Sequence, residues 1–175
     1  DTFVFLHHVK WWGEEYAPEV DMNSDKLRST VNINSSCNAY YDGSVNFYKA
    51  GDGCNNTARL ADVNYHEWGH GFHYYSLLSG EFDGSMSEGI ADAVSMLNTG
   101  DATIAPGFFN SGYAIRELET NRVYPDDIVN EVHTDGLIFG GAVWDLVNVL
   151  SEEMSEDEAY DKVSRLLAAA VKSGP

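Results

Sequence analysis

Hydrophobic and polar positions change rhythm about one third of the way along the chain. Before Arg59 the stretches are short and alternating. Ser29–Ile33 and Val45–Tyr48 are rich in β-branched or aromatic residues and predict strands. Asp42-Gly43, set between Tyr41 and Ser44, is a hairpin-turn signal. Phe3–Trp12 carries apolar residues at mixed spacing with no break until Gly13, which fits a helix or a long strand, and residues 17–28 read as loop. From about Arg59 the period turns helical and holds to Leu78, ending near Gly80. A second helix is expected from Ser85 or Ser87 to Leu97, stopping before Gly100. Residues 101–130, with Gly107, Gly112 and Pro125, predict loop with one short helix around Ala114–Leu118. Helices over His133 to about Leu150 and over Glu156–Lys172 complete the outline. Strands early and helices later predict an α+β fold.

Length and charge narrow this picture. With 175 residues, 43% of them hydrophobic, the chain can bury one sizeable core, or two small lobes that share a cleft. The 28 acidic against 10 basic residues give a formal charge of −18. Such a surface repels polyanions, which argues against nucleic acid and anionic membranes as partners. The longest apolar stretches, Leu137–Trp144 and Leu166–Val171, are far too short for a membrane span. No secretory leader stands at Asp1, so the expectation is a mature chain or one cut from a longer precursor. Cys37 and Cys54 flank a strand–turn–strand segment; a bridge and a pair of free thiols both fit, and a bridge would indicate an oxidising compartment. Asn34-Ser-Ser and Asn55-Asn-Thr match glycosylation acceptors, which matter only in a eukaryotic secretory pathway.

The sharpest chemical feature is His66-Glu67-Trp68-Gly69-His70, inside the first long helical stretch. Residues four apart share a helix face, so two imidazoles can reach one tetrahedral zinc ion with Glu67 beside them. A catalytic zinc wants a third protein ligand, and Ser87-Glu88-Gly89-Ile90-Ala91-Asp92 begins 17 residues beyond His70. A turn and a second antiparallel helix fit that interval and would bring Glu88 to the metal. Asp92, one turn on, could accept the free N–H of a ligating histidine and fix its tautomer. The plainer account of this segment is an acidic first turn capped by Ser85 or Ser87; it explains Glu88 but not Asp92 in mid-helix.

HEWGH followed by SEGIAD resembles the gluzincin metallopeptidases. Asn38-Ala39-Tyr40-Tyr41-Asp42-Gly43 is similar to the edge strand of thermolysin-like and fungalysin-like members. Val132-His133-Thr134-Asp135-Gly136, running into Gly140-Gly141-Ala142-Val143-Trp144, resembles their Val-His-x-x-Gly segment, closest to fungalysin-like proteins. The four segments stand in family order across residues 37–146. The resemblance implies a two-lobed zincin-like domain: residues 1–80 with a small twisted sheet and the HExxH helix, residues 81–175 mainly helical, and one catalytic zinc in the cleft between them. It implies His66, His70 and Glu88 as zinc ligands, Glu67 as general base for a metal-activated water, and His133 as the donor that stabilises the oxyanion. It also implies Asn38 and Ala39 as the rail for an extended peptide substrate, and Arg116 as a grip on a substrate carbonyl.

The implied activity is zinc-dependent hydrolysis of internal peptide bonds, in a secreted or cell-surface setting. A gluzincin aminopeptidase would share the metal site, but no Gly-x-Met-x-Asn segment offers an anchor for a free amine. A non-catalytic zinc-containing peptide-binding domain would have no use for Glu67 or His133. A propeptide or flanking domain is a further conceivable partner. The sequence also departs from the family pattern, with Leu137 standing where fungalysin-like proteins often carry Glu. Tyr74, Tyr75 and Tyr113 are all candidates for an oxyanion tyrosine, and Asp126, Asp127 and Glu131 for the carboxylate that orients His133. Calcium is a minor option for the acidic run Glu152–Glu158, which lacks EF-hand spacing; a solvated helix start is the simpler reading. His7-His8 and His73 are expected to be structural or surface residues, and Trp11, Trp12, Trp68 and Trp144 to pack the core.

Overall fold

The computed structural model describes residues 1–20, 22 and 26–174. Asp21 and Asn23–Asp25, part of the expected 17–28 loop, lie outside the described residues. The fold is α+β. Helix α1 (Thr2–Tyr16) resolves the helix-or-strand ambiguity of the first segment and continues through Gly13. Strands β1 (Ser29–Ile33), β2 (Ala39–Tyr41) and β3 (Val45–Tyr48) form a sheet in the order β1-β3-β2. β2 and β3 are the expected hairpin, antiparallel with Tyr41 opposite Val45, and Gly43 takes φ +95°, which a side chain would resist. β1 lies parallel to β3, with its register broken between Thr30 and Ile33. β2 is therefore an edge strand.

The bridge between Cys37 and Cys54 is formed. It ties the start of β2 to the loop beyond β3, and closing a loop of this size contributes about 3 kcal/mol through the unfolded chain. Helices α2 (Ala61–Ser76), α3 (Gly84–Thr99), α4 (Val132–Ser151) and α5 (Glu156–Ala170) follow. The cap of α3 is not Ser85 or Ser87: Asp83 accepts from the Met86 N–H, which moves the helix start upstream and leaves Ser87 buried inside it. At α5 the Ser155–Glu158 capping box is complete, so the acidic run is a charged helix start. No helix forms around Ala114–Leu118. Arg116–Glu117 is instead a strand, β5, antiparallel to β4 (Thr103–Ile104). Two residues per strand are too few to leave an alternating pattern, and the pairing depends on partners twelve or more positions away. No described helix is long and apolar enough to cross a membrane.

One hydrophobic cluster extends from Val9 and Trp12 on α1 through Phe47, Trp68, Phe72, Ile90 and Val94 to Val147, Val163 and Leu167. The chain ends close on each other: Trp12 donates to the Ser164 hydroxyl at 3.1 Å, and Tyr16 to Asp161 at 3.2 Å. Trp12 and Trp68 pack as expected and Trp144 is half-buried, but Trp11 is 64% exposed, because the one-residue step from Trp12 turns it to the outer face of α1.

Glycines set how closely the central helices approach. A Cβ on Gly69 of α2 would stand 2.7 Å from the Ala91 Cα on α3, and one on Gly89 of α3 would stand 2.6 Å from the Gly136 carbonyl oxygen on α4. α3 is thus clasped between α2 and α4 at backbone contact, one residue from Glu88. Gly89→Val is expected to force these helices apart at a cost towards the upper end of the usual 1–3 kcal/mol for overpacking, since backbone rather than a flexible side chain is in the way. A thermal melt should show Tm lowered by roughly 4–10 °C.

Candidate metal centre

α2 supplies His66, Glu67 and His70, and is buried on nearly all sides between α1, α3 and the sheet. The two imidazoles, four residues apart, stand edge to face with centroids 4.7 Å apart. Their Nδ1 atoms are engaged away from each other: His66 with Asp92 Oδ1 at 2.8 Å, His70 with the Ser87 hydroxyl at 2.9 Å. Each ring therefore turns its Nε2 towards Glu88, at 3.3 Å from Oε2 for His66 and 3.6 Å from Oε1 for His70.

His66, His70 and Glu88 each offer one ligand atom, all within 4.8 Å of one another, and among the described residues no fourth side chain joins the group. A tetrahedral ion with bonds of about 2.0–2.1 Å separates its ligand atoms by roughly 3.3 Å, so the two histidine–carboxylate spacings fit with little movement. Glu88 Oε2 is buried with no hydrogen-bond partner, although the His66 and Arg116 nitrogens lie 3.3 and 3.5 Å away. A buried carboxylate oxygen without a donor is costly unless a cation satisfies it. Two neutral-capable imidazoles and one carboxylate are a donor set suited to zinc.

The surrounding groups are held by charge. Asp92 is fully buried and takes a bidentate contact from Arg116, Nε at 2.6 Å and Nη2 at 2.9 Å, while also accepting from His66. Arg116 reaches this position because β5 pairs with β4 rather than forming the expected helix. Burial alone would raise the Asp92 and Glu88 carboxyls; the His66 ring, aided by Arg116 at Asp92 and by His70 and His133 at Glu88, reverses this and holds both at about 2. Burial opposes charge on His66, yet Asp92 and Glu88 together push its pKa up to about 10. His70, buried and next to the positive His66, is pushed down to about 3. The protein's own charges thus keep His70 free as a ligand and place a proton on His66, where a cation would displace it. Uptake of a divalent ion near pH 7 is expected to release about one proton from His66 and a further fraction of one from Glu67, so between one and two in all. Calorimetric titration in buffers of different ionisation enthalpy measures that number, and apparent affinity should rise at least about tenfold per pH unit through the neutral range.

Glu67 stands beside the group but outside it. It is buried, its Oε2 has no partner, and burial pushes its pKa up to about 7. His133, in the first turn of α4, brings its Nε2 to 3.4 Å from Glu88 Oε1. Of the three candidate orienting carboxylates, Glu131 is the one in contact, with Oε1 2.8 Å from His133 Nδ1. It also caps α4, accepting from the His133 and Thr134 N–H groups. Asp127 is engaged instead with the Val123 N–H.

These side chains open into a cleft of about 1290 Å³, whose walls include Asn38, Ala39 and Tyr41 together with Ile115, His133 and Leu137. Tyr74 and Tyr75 line it; Tyr113 does not. His73 is buried against Phe82, and His7 is exposed on α1, bonded to the Phe3 carbonyl. Ser87, read from the sequence as a cap, and Glu131, left there as one of three candidate carboxylates, are the site residues whose partners only the structure shows. Ser87 adjoins Glu88 on the helix that faces His70, a signal hidden by its resemblance to a helix cap. No protein-family model matches the chain, and no curated protein matches it.

Proposed function

We propose that the chain is a zinc-dependent endopeptidase of the gluzincin type, with residues 1–80 and 81–175 as lobes on either side of the cleft. The observation that carries this reading is the pairing of a three-donor group on facing helices with a buried, partnerless carboxylate, Glu67, beside it. Zinc held by His66, His70 and Glu88 would act as a Lewis acid and make water acidic near neutral pH. Glu67, with a pKa near 7 from burial, is suited to take a proton from a water and return it to a departing amine. A cation at the ligand group would favour its ionised, proton-accepting form. His133, oriented through Nδ1 by Glu131, presents Nε2 to the cleft, where its protonated form donates to developing negative charge. Arg116, tied to Asp92 through Nε and Nη2, fixes the carboxylate that holds His66, and its Nη2 also stands 3.5 Å from Glu88 Oε2. The unpaired edge of β2 suits an extended peptide, which adds as a further strand.

The disulfide supports a secreted or cell-surface setting. The test is metal content with hydrolysis. The purified chain should bind about one zinc, cleave blocked peptides at internal bonds, lose activity to a chelator and regain it on zinc addition. A fully zinc-loaded chain that cleaves no peptide would overturn the enzyme reading.

A further inference from the structure

Beyond His70 the metal-facing side of α2 continues into aromatic residues. His66, His70 and Tyr74 are spaced four apart, so Tyr74 stands one turn, about 5–6 Å, past His70 on the same face. Its ring meets Tyr75 edge-on at 5.3 Å and Phe82 at 6.2 Å. Phe82 is seated on the buried His73 ring, with centroids 5.0 Å apart and planes 27° apart. Tyr41 joins this group to the edge strand: its ring covers Gly71, where a Cβ would meet Tyr41 Cζ at 2.8 Å. Tyr74, Tyr75 and Phe82 are 61%, 48% and 50% exposed, and all three line the cleft. Three adjoining large rings left open in a cleft wall are not core filling.

Charge and shape select what they receive. Among the described residues the only basic side chain lining the cleft, other than histidine, is Arg116, which is occupied by Asp92, while Asp42 stands at the Tyr41 end. The chain as a whole carries −18. An enclosed slot would suit an aromatic guest. Open ring faces in a negative field suit a side chain whose apolar stem lies on the rings while its charged head stays wet. β2 runs from Ala39 to Tyr41, and its Tyr41 end lies at the C-terminal half of α2. A peptide added antiparallel to β2 therefore passes the rings with the residues that precede its point of closest approach to the metal group.

We propose that Tyr74, Tyr75 and Phe82 form a subsite for an arginine or lysine side chain on the N-terminal side of the scissile bond. This assignment rests on the peptidase reading above. The test uses the zinc-loaded full chain and a library of blocked decapeptides, with cleavage points read by mass spectrometry. Arginine and lysine within three residues before the cut are expected to be favoured about threefold to tenfold over leucine or phenylalanine, with glutamate disfavoured. In the Tyr74→Ala/Phe82→Ala double variant the ratio should fall towards one.

A parallel titration follows tyrosine ring resonances, assigned with Tyr74→Phe, on adding blocked arginine, phenylalanine or glutamate amides. Cleavage with no cationic preference, or with the preference after the cut, overturns the subsite and leaves the peptidase. No cleavage, but Tyr74 signals shifted by the arginine amide and not by the other two, upholds the rings as a cation-binding cluster but overturns the peptidase and with it the cluster's place before a scissile bond. No cleavage and no arginine-selective shift overturns both.

Discussion

Glu67→Gln is expected to reduce kcat/KM for peptide hydrolysis by about 10³-fold or more while leaving zinc binding within a few-fold of the parent chain. The size follows from the chemistry lost, since removing a positioned general base costs about 10²–10⁴-fold, and the two other carboxylates at the ligand group are already engaged. Glu88 belongs to the donor group and Asp92 is committed to His66 and Arg116. Zinc binding should survive because Glu67 is outside the three-donor group. Stability gives the more telling signature. In the parent chain burial raises the Glu67 pKa to about 7, and its Oε2 has no partner. Ionising it in the folded state is therefore costly, and a neutral amide of the same shape removes that cost. A metal-free Glu67→Gln chain should melt at the same temperature as the parent or higher near pH 8, even though it is inactive. A variant that still hydrolyses peptides at more than a tenth of the parent rate would remove Glu67 from the chemistry. A variant that unfolds would mean its carboxylate is structural.

How far the sequence led, and where it stopped, follows from the range of the interactions involved. The spacing of His66 and His70 is a property of one helix, so their shared face was legible from four positions. Glu88 and Asp92 were legible because the interval from His70 accommodates a turn between antiparallel helices, and the structure has that turn at residues 77–83. The hairpin around Asp42-Gly43 was equally local. What stayed hidden were features set by pairing across distance. Arg116 was singled out through the resemblance as a grip on a substrate carbonyl, but its tie to Asp92 depends on a two-residue ladder with Thr103 and Ile104, which leaves no periodicity to read. Ser87 resembled a cap because serine favours that place, and only the facing His70 ring shows its use. Glu131 could not be separated from Asp126 and Asp127 by spacing alone; its double engagement, capping α4 and holding His133, distinguishes it. The close approach of α3 to its two neighbours was also invisible, since a glycine in a helix gives no sign of which backbone it must admit.

Asp92→Ala should damage the folded scaffold strongly, although Asp92 is not one of the three donors. The carboxylate is wholly buried and joins three elements: α3, which carries it, α2 through His66, and β5 through Arg116. Removing it leaves the Arg116 guanidinium, whose side chain is 13% exposed, without its bidentate partner. Breaking one side of a buried ion pair costs about 3–5 kcal/mol, which for a chain of this size lowers Tm by roughly 6–20 °C. It also frees the His66 Nδ1, so the ring loses the contact that aims its Nε2 at Glu88. Loss of such an orienting partner weakens metal binding by about 10–100-fold.

Asp92→Asn separates the two effects. The amide oxygen can still accept from His66 Nδ1–H, so zinc affinity should fall less than in the alanine variant, while Arg116 loses its counter-charge in both. Melting curves of the metal-free chains and competitive zinc titrations of the loaded ones give the two quantities independently. Equal zinc affinities for Asp92→Ala and the parent would show that His66 needs no help from Asp92. The Arg116–Asp92–His66 chain would then serve only to hold β5 against α3.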